Sequence, residues 1–260
     1  MMRDPRKTWL RAASLGIMMF LYLPIAVLVV YSFNAAKLST AWQGLSLQWY
    51  ALLARDHALL VALQNSLLIA AVSTAIATLL GVSAAVGIER LPWRRRTWLD
   101  GAFLLPLVMP EVMMGVALLL FFVLVRMPLG LLTVTIGHAV FNVPVVTMIV
   151  RARLRKLDPH LEEAARDLGA TPWQAFRRVT LPLVRPSVIG AALLAFTVSL
   201  DDFVVTFFTA GPGATTLPLK VYSMIKTGIS PEINALSAML VVVSMALVGL
   251  SLVMQRTNEK

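Results

Sequence analysis

The chain has 260 residues, of which 58% are apolar and 14% charged, about half the roughly 25% charged fraction of soluble domains. Its formal charge of +10 does not signal nucleic acid, because every Lys and Arg lies between or beside long apolar runs, which is the pattern of membrane topology. Cysteine is absent, so disulfide frameworks, thiol nucleophiles and cysteine metal sites are excluded.

A bilayer-spanning helix needs about 20 apolar residues, and six runs meet that length: 12–33, 64–88, 99–125, 129–150, 187–208 and 233–254. The first follows Arg3, Arg6, Lys7 and Arg11 as in a signal peptide, but it is longer than the roughly 7 to 15 residues of a cleaved apolar region. An uncleaved helix is expected. The second carries Ser73, Ala77, Gly81 and Ala85 at four-residue spacing, a strip of small side chains along which another helix approaches closely. The third contains Pro106 and Pro110, which remove backbone donors and predict a kink or break near mid-membrane; broken helices line transport pathways, and bundle helices tolerate proline without one. Lys and Arg number 4, 4, 8 and 2 in the N-terminal tail, the 89–98 loop, the 151–186 loop and the C-terminal tail, against 5 in the alternate loops, Arg94-Arg95-Arg96 being the sharpest signal. That bias puts both termini in the cytoplasm.

The 151–186 connection is dense with helix punctuation. Asp158 is placed to cap a helix that opens with Pro159, carries Glu162 and Glu163 in its first turns and stops at Gly169. Thr171 then caps a second helix, with Pro172 at its first position and Gln174 completing a Thr-x-x-Gln capping box, and Leu181-Pro182 is expected to end it. Such helices are too short to span the bilayer. They lie on the lipid surface as an amphipathic hairpin or dock into a partner groove.

The spacing Glu163-Ala164-Ala165, three residues, Gly169, nine residues, Val179, one residue, Leu181-Pro182 resembles the EAA motif of binding-protein-dependent ABC importer permeases, E-A-A-x3-G-x9-I-x-L-P, with Val179 in place of Ile. The resemblance implies an all-α membrane protein of six transmembrane helices in a MetI-like, type I permease fold. Its cytoplasmic coupling helices, about 158–182, insert into a cleft on separate ATPase subunits. Glu163, Ala164, Ala165, Gly169, Leu181 and Pro182 inherit the coupling role. It also implies no cofactor in this chain, ATP and Mg being bound by the partner ATPase. In agreement, no G-x-x-x-x-G-K-[ST] phosphate loop is present. The layout expected is a tail, first helix and periplasmic loop over 1–63, a five-helix permease domain over 64–254, and a cytoplasmic tail over 255–260.

Acidic residues at membrane depth are functional candidates. Glu111 follows Pro110 about twelve residues into the third run, and Asp201 and Asp202 belong to the outer half of the fifth, with Phe196, Phe203 and Phe207 near in sequence. Carboxylates beside aromatics suit an organic cation; an aspartate that caps a broken helix or pairs with a polar neighbour is the other reading of the pair. The runs contain no Lys or Arg to neutralise these acids. Ser199-Leu200-Asp201-Asp202-Phe203-Val204-Val205, Gly211-Pro212-Gly213, Leu217 to Met224 and Ile229 to Ala235 resemble the C-type second subunit of the spermidine/putrescine branch. That implies a polyamine importer of the bacterial inner membrane, with Glu111, Asp201, Asp202 and Phe203 on the substrate path. Its partners would be membrane lipid, a periplasmic substrate-binding protein, a second homologous permease subunit and two ATPase copies. The Gly-Pro-Gly segment either meets the binding protein or is only a tight turn.

Iron, an opine or an amino-acid-like cation is the alternative cargo, and a secondary carrier or channel the alternative class; the latter leaves the EAA spacing unexplained. No catalytic or metal site is expected, because His57, His138 and His160 are isolated in sequence and no H-E-x-x-H occurs.

Overall fold

The computed structural model describes residues 5–36, 41–158, 160–227, 231–242 and 245, and the regular structure among them is helical. The chain divides into two compact units, residues 61–220 and the end segments 1–60 with 221–260. In chain order the helices are α1 Pro5–Tyr31, α2 Gln48–Leu53, α3 His57–Glu89, α4 Trp93–Val108, α5 Glu111–Leu124, α6 Leu131–Leu154, α7 His160–Asp167, α8 Pro172–Ala175, α9 Leu181–Asp201, α10 Val204–Thr209 and α11 Leu217–Thr227, followed by α12, Pro231–Val242.

Four stretches, Trp9–Tyr31, His57–Glu89, Leu131–Leu154 and Pro172–Asp201, are long and apolar enough to cross a bilayer, and α4 with α5 makes a fifth if that bent pair counts as one span. The expected sixth, 233–254, is described only to Val242 and at Met245; its remainder and the 255–260 tail lie outside the described residues. Large apolar side chains along these helices, among them Phe20, Leu79, Val108 and Leu124, point away from the chain's own interior. Helices that present such faces need lipid or partner helices around them.

Within the 61–220 unit, α3, α6 and α9 share a core of Ala77, Ala85, Val146, Val150, Ala191 and Ala195. The strip of small residues on α3 is the reason they pack so closely. A Cβ built on Gly81 would stand 2.8 Å from Val146 Cβ, and Ser73 reaches Ser199 of α9 through a hydroxyl pair at 3.0 Å. A second core joins Met114, Leu118 and Phe122 of α5 to Val205 of α10. There Gly115 and Gly137 clear space for Phe208 and Val205.

Proline acts differently at each position. Pro106 stays inside α4, whereas Pro110 sits at the break and α5 leaves at 103° to α4. The expectation that Leu181-Pro182 ends the second loop helix is corrected. Residues Phe176–Thr180 form a π-helical turn, in which the Leu181 amide donates to the Phe176 carbonyl, and the chain runs on into α9. The wider turn displaces the i→i−4 pattern in which Pro182 would clash, so the helix bends its bonding instead of stopping.

Candidate functional site

Two groups of residues in the 61–220 unit stand out, the EAA segment and a cleft between helix breaks. The first begins at Asp158, whose Oδ1 accepts the His160 amide at 3.0 Å and so opens α7; Pro159 lies outside the described residues. The helix ends in a Schellman motif. Gly169 has φ +89°, its amide donates to Arg166 O at 2.8 Å, and the Ala170 amide donates to Ala165 O at 3.0 Å. The corner then hands over to the capping box as expected: the Gln174 amide donates to Thr171 Oγ1 at 3.3 Å and the Thr171 amide donates to Gln174 Oε1 at 2.9 Å. Glu163 is 68% exposed, with the His160 ring 2.9 Å away. That hydrogen bond, helped by the charges of Asp158 and Glu163, lifts the His160 imidazole above its ordinary value. Ala164, Leu168 and Trp173 also face outward, while Leu181 is half-buried and Pro182 exposed.

Sequence reasoning placed Glu162, one residue before the motif, in the first turns of this helix but gave it no partner. It points the other way, accepting a hydrogen bond from Thr180 Oγ1 in the π-turn and lying 3.4 Å from Arg90 at the end of α3. Beside it, Glu89 gathers Arg96 at 2.6 Å, Arg151 at 2.8 Å and Arg155 at 3.0 Å, and Arg151 also pairs with Asp100. The sequence showed these arginines only as topology signals, since nothing in their spacing links residues sixty positions apart.

The second group is a cleft of about 400 Å³ lined by Glu111, Phe141, Thr197, Asp201, Asp202 and Phe203 among others. Two chain breaks build it: Pro110 starts α5 at Glu111, and Asp202 with Phe203 interrupts the fifth apolar run between α9 and α10. All four residues expected on a substrate path are thus brought together. They are not equivalent. Asp202 caps α10, its Oδ2 accepting the Thr206 amide and hydroxyl at 2.8 Å each and its Oδ1 the Val205 amide at 3.3 Å. Asp201 and Glu111 are exposed to the cleft and, among the described residues, have no hydrogen bond or ion pair. The rings of Phe203 and Phe207 lie 5.6 Å apart, tilted by 39°.

His138 is not isolated in the fold. Only 4% exposed, it places Nε2 3.1 Å from Asp202 Oδ2 and 2.8 Å from Thr206 Oγ1, and Nδ1 2.6 Å from Ser199 Oγ. It gives Asp202 a side-chain partner from another helix in spans that hold no Lys or Arg. Sequence carried only a weak hint, a lone ionisable residue in the apolar run 129–150.

Residues 77–260 match the family described as "Binding-protein-dependent transport system inner membrane component". The chain belongs to this family. It is therefore a transport component of the inner membrane and not an enzyme. Among curated relatives, this permease is 46% identical over 229 residues to "Putrescine transport system permease protein PotI" of Escherichia coli (strain K12), covering 85% of this chain and 81% of the relative. It is 39% identical over 245 residues to "Spermidine/putrescine transport system permease protein PotC" of the same strain, covering 94% and 93%. Its fold is that of a permease chain in the crystal structure of a bacterial alginate ABC transporter in complex with an alginate pentasaccharide-bound periplasmic protein, with a TM-score of 0.75 at 17% identity over 98% of this chain and 96% of that one.

Proposed function

We propose that this permease is one transmembrane half of an ATP-driven importer of putrescine and spermidine. The carrying observation is that Glu111, Asp201 and Phe203 meet at one cleft in a chain 46% identical to a putrescine permease. A cleft of that size suits a small ligand, and carboxylates beside an aromatic face suit ammonium groups at the ends of an apolar chain. In this reading six helices cross the membrane, the sixth over 233–254, and both termini are cytoplasmic. Residues 1–63 and 255–260 flank a permease domain over 64–254.

Glu163, Ala164, Ala165, Gly169, Leu181 and Pro182 form the segment that engages the ATPase. The outward face of α7 supports this role, with Glu163 and Ala164 open to a partner and Gly169 turning the corner. Glu111, Asp201, Asp202 and Phe203 line the path, with Asp202 shaping it through the α10 cap. A second permease subunit, two ATPase copies and a periplasmic binding protein complete the assembly, in keeping with the family's description. The turn at Gly211-Pro212-Gly213, where the Ala214 amide donates to Gly211 O at 3.1 Å and Gly213 has φ +77°, exposes Pro212 and Gly213 for the binding protein to meet.

The test is uptake of labelled putrescine and spermidine into proteoliposomes holding the whole complex. Expected are ATP-dependent uptake by wild type, a KM raised roughly tenfold or more by Asp201→Asn through loss of a charge-assisted contact, and loss of ATPase stimulation with Glu163→Ala. Wild-type uptake no greater than an ATP-free control overturns the reading and points to another cationic cargo.

A further inference from the structure

The cleft contains three carboxylates in sequence but presents two. Every hydrogen bond made by Asp202 is turned inward: its oxygens take the Val205 amide, the Thr206 amide and hydroxyl, and the His138 ring, and its side chain is 14% exposed. The Asp202 oxygens accept from α10, and a proton on Nε2 of His138 gives the contact between the two side chains its donor. Nδ1 stands 2.6 Å from the Ser199 hydroxyl, and Ser199 in turn stands 3.0 Å from Ser73. Both ring nitrogens are thereby engaged, which fixes the imidazole between α3, α6, α9 and α10. Thr206 and the α10 backbone hold Asp202 from within its own turn. His138 is the one partner that a distant element supplies among the described residues.

We propose that His138 is a positioning residue that withdraws Asp202 from the cleft, so that Asp201 and Glu111 alone meet the cargo and the site prefers a dication over a trication. This inference rests on the polyamine reading above. Without the ring, the buried oxygen of Asp202 has lost its outside donor, and the nearest place to recover solvation is the cleft it already borders. A third carboxylate would then favour the triamine.

The test compares uptake of putrescine and spermidine by the reconstituted complex carrying wild type, His138→Ala, His138→Gln, Asp202→Asn and the double variant of His138→Ala with Asp202→Asn. His138→Ala is expected to raise the spermidine-to-putrescine ratio of kcat/KM about fivefold, on the scale of one partly screened charge contact. His138→Gln, whose amide reaches where Nε2 stands, restores the wild-type ratio. Asp202→Asn, still a good helix cap, removes the charge that His138→Ala would release, so the double variant is expected to keep the ratio of Asp202→Asn alone. A ratio unchanged in His138→Ala, or raised just as much by His138→Ala when residue 202 is already Asn, overturns the proposal. Thermal melting of the purified complex with His138→Ala, Asp202→Asn and both separates the two readings. If wild type moves neither polyamine, the cargo assignment fails, yet non-additive losses still support the His138–Asp202 link and additive losses refute it.

Discussion

Backbone conformation at two single residues sets opposite expectations. Gly169 and Arg126 both end helices in the left-handed region, at φ +89° and +54°, and each is followed by a back-bond closing a Schellman turn, Ala170 to Ala165 and Met127 to Phe122. Glycine occupies that region without penalty, whereas a side chain costs on the order of 1 kcal/mol. No atom stands within 4 Å of a Cβ placed on Gly169, so strain and not collision decides the outcome there. Gly169→Ala is expected to lower stability by about 1 kcal/mol and Arg126→Gly to raise it by up to about 1 kcal/mol, read as opposite shifts in the melting of the detergent-purified complex. Gly169 was legible in the sequence because glycine at a helix end is a stop signal. Arg126 was not, because arginine carries no hint of positive φ.

At the scale of elements, α7 is tied through Glu162 to the π-turn that runs on into α9. The His160–Glu163 pair lies in the first turn of α7, fully at the surface. A histidine raised in the folded state contributes fully below its ordinary value of 6.5, and that contribution fades as pH climbs through the higher folded value. Protection of the amides that follow in α7 against hydrogen exchange should therefore weaken from near neutral pH upward, once corrected for the intrinsic rate. His160→Ala should remove the pH dependence; the same decline persisting in that variant would assign it to another group. The capping box at Thr171 and Gln174 was readable three residues apart. The π-turn after it was not, because the Leu181-Pro182 pair signals a helix end unless the preceding turn widens to admit the proline, and that depends on α9 being held against α6.

For the whole helical unit, the decisive interactions join residues far apart in sequence. Glu89 is the common acceptor for Arg96, Arg151 and Arg155, and Arg151 is only 6% exposed. Glu89→Leu leaves Arg151 with Asp100 alone and is expected to cost about 3 kcal/mol, the scale of breaking a buried pair. Arg151→Met should cost less, since Glu89 and Asp100 keep Arg155 nearby, and Glu89 also keeps Arg96. Denaturant titration of the reconstituted protein would rank the two, and the reverse order would show that Arg151, not Glu89, organises the cluster.

The sequence by itself determined that this chain is helical and bound to the membrane, because run length and hydropathy are local properties that the bilayer reads directly. It determined the loop that carries the EAA spacing, because caps and corner residues act within a few positions of one another. Tertiary structure decided how the cleft's carboxylates are partnered. Asp201 and Asp202 are neighbours of identical chemistry, and what separates them, besides the α10 donors that Asp202 takes, is His138, more than sixty residues away on a different helix, whose ring reaches one and not the other.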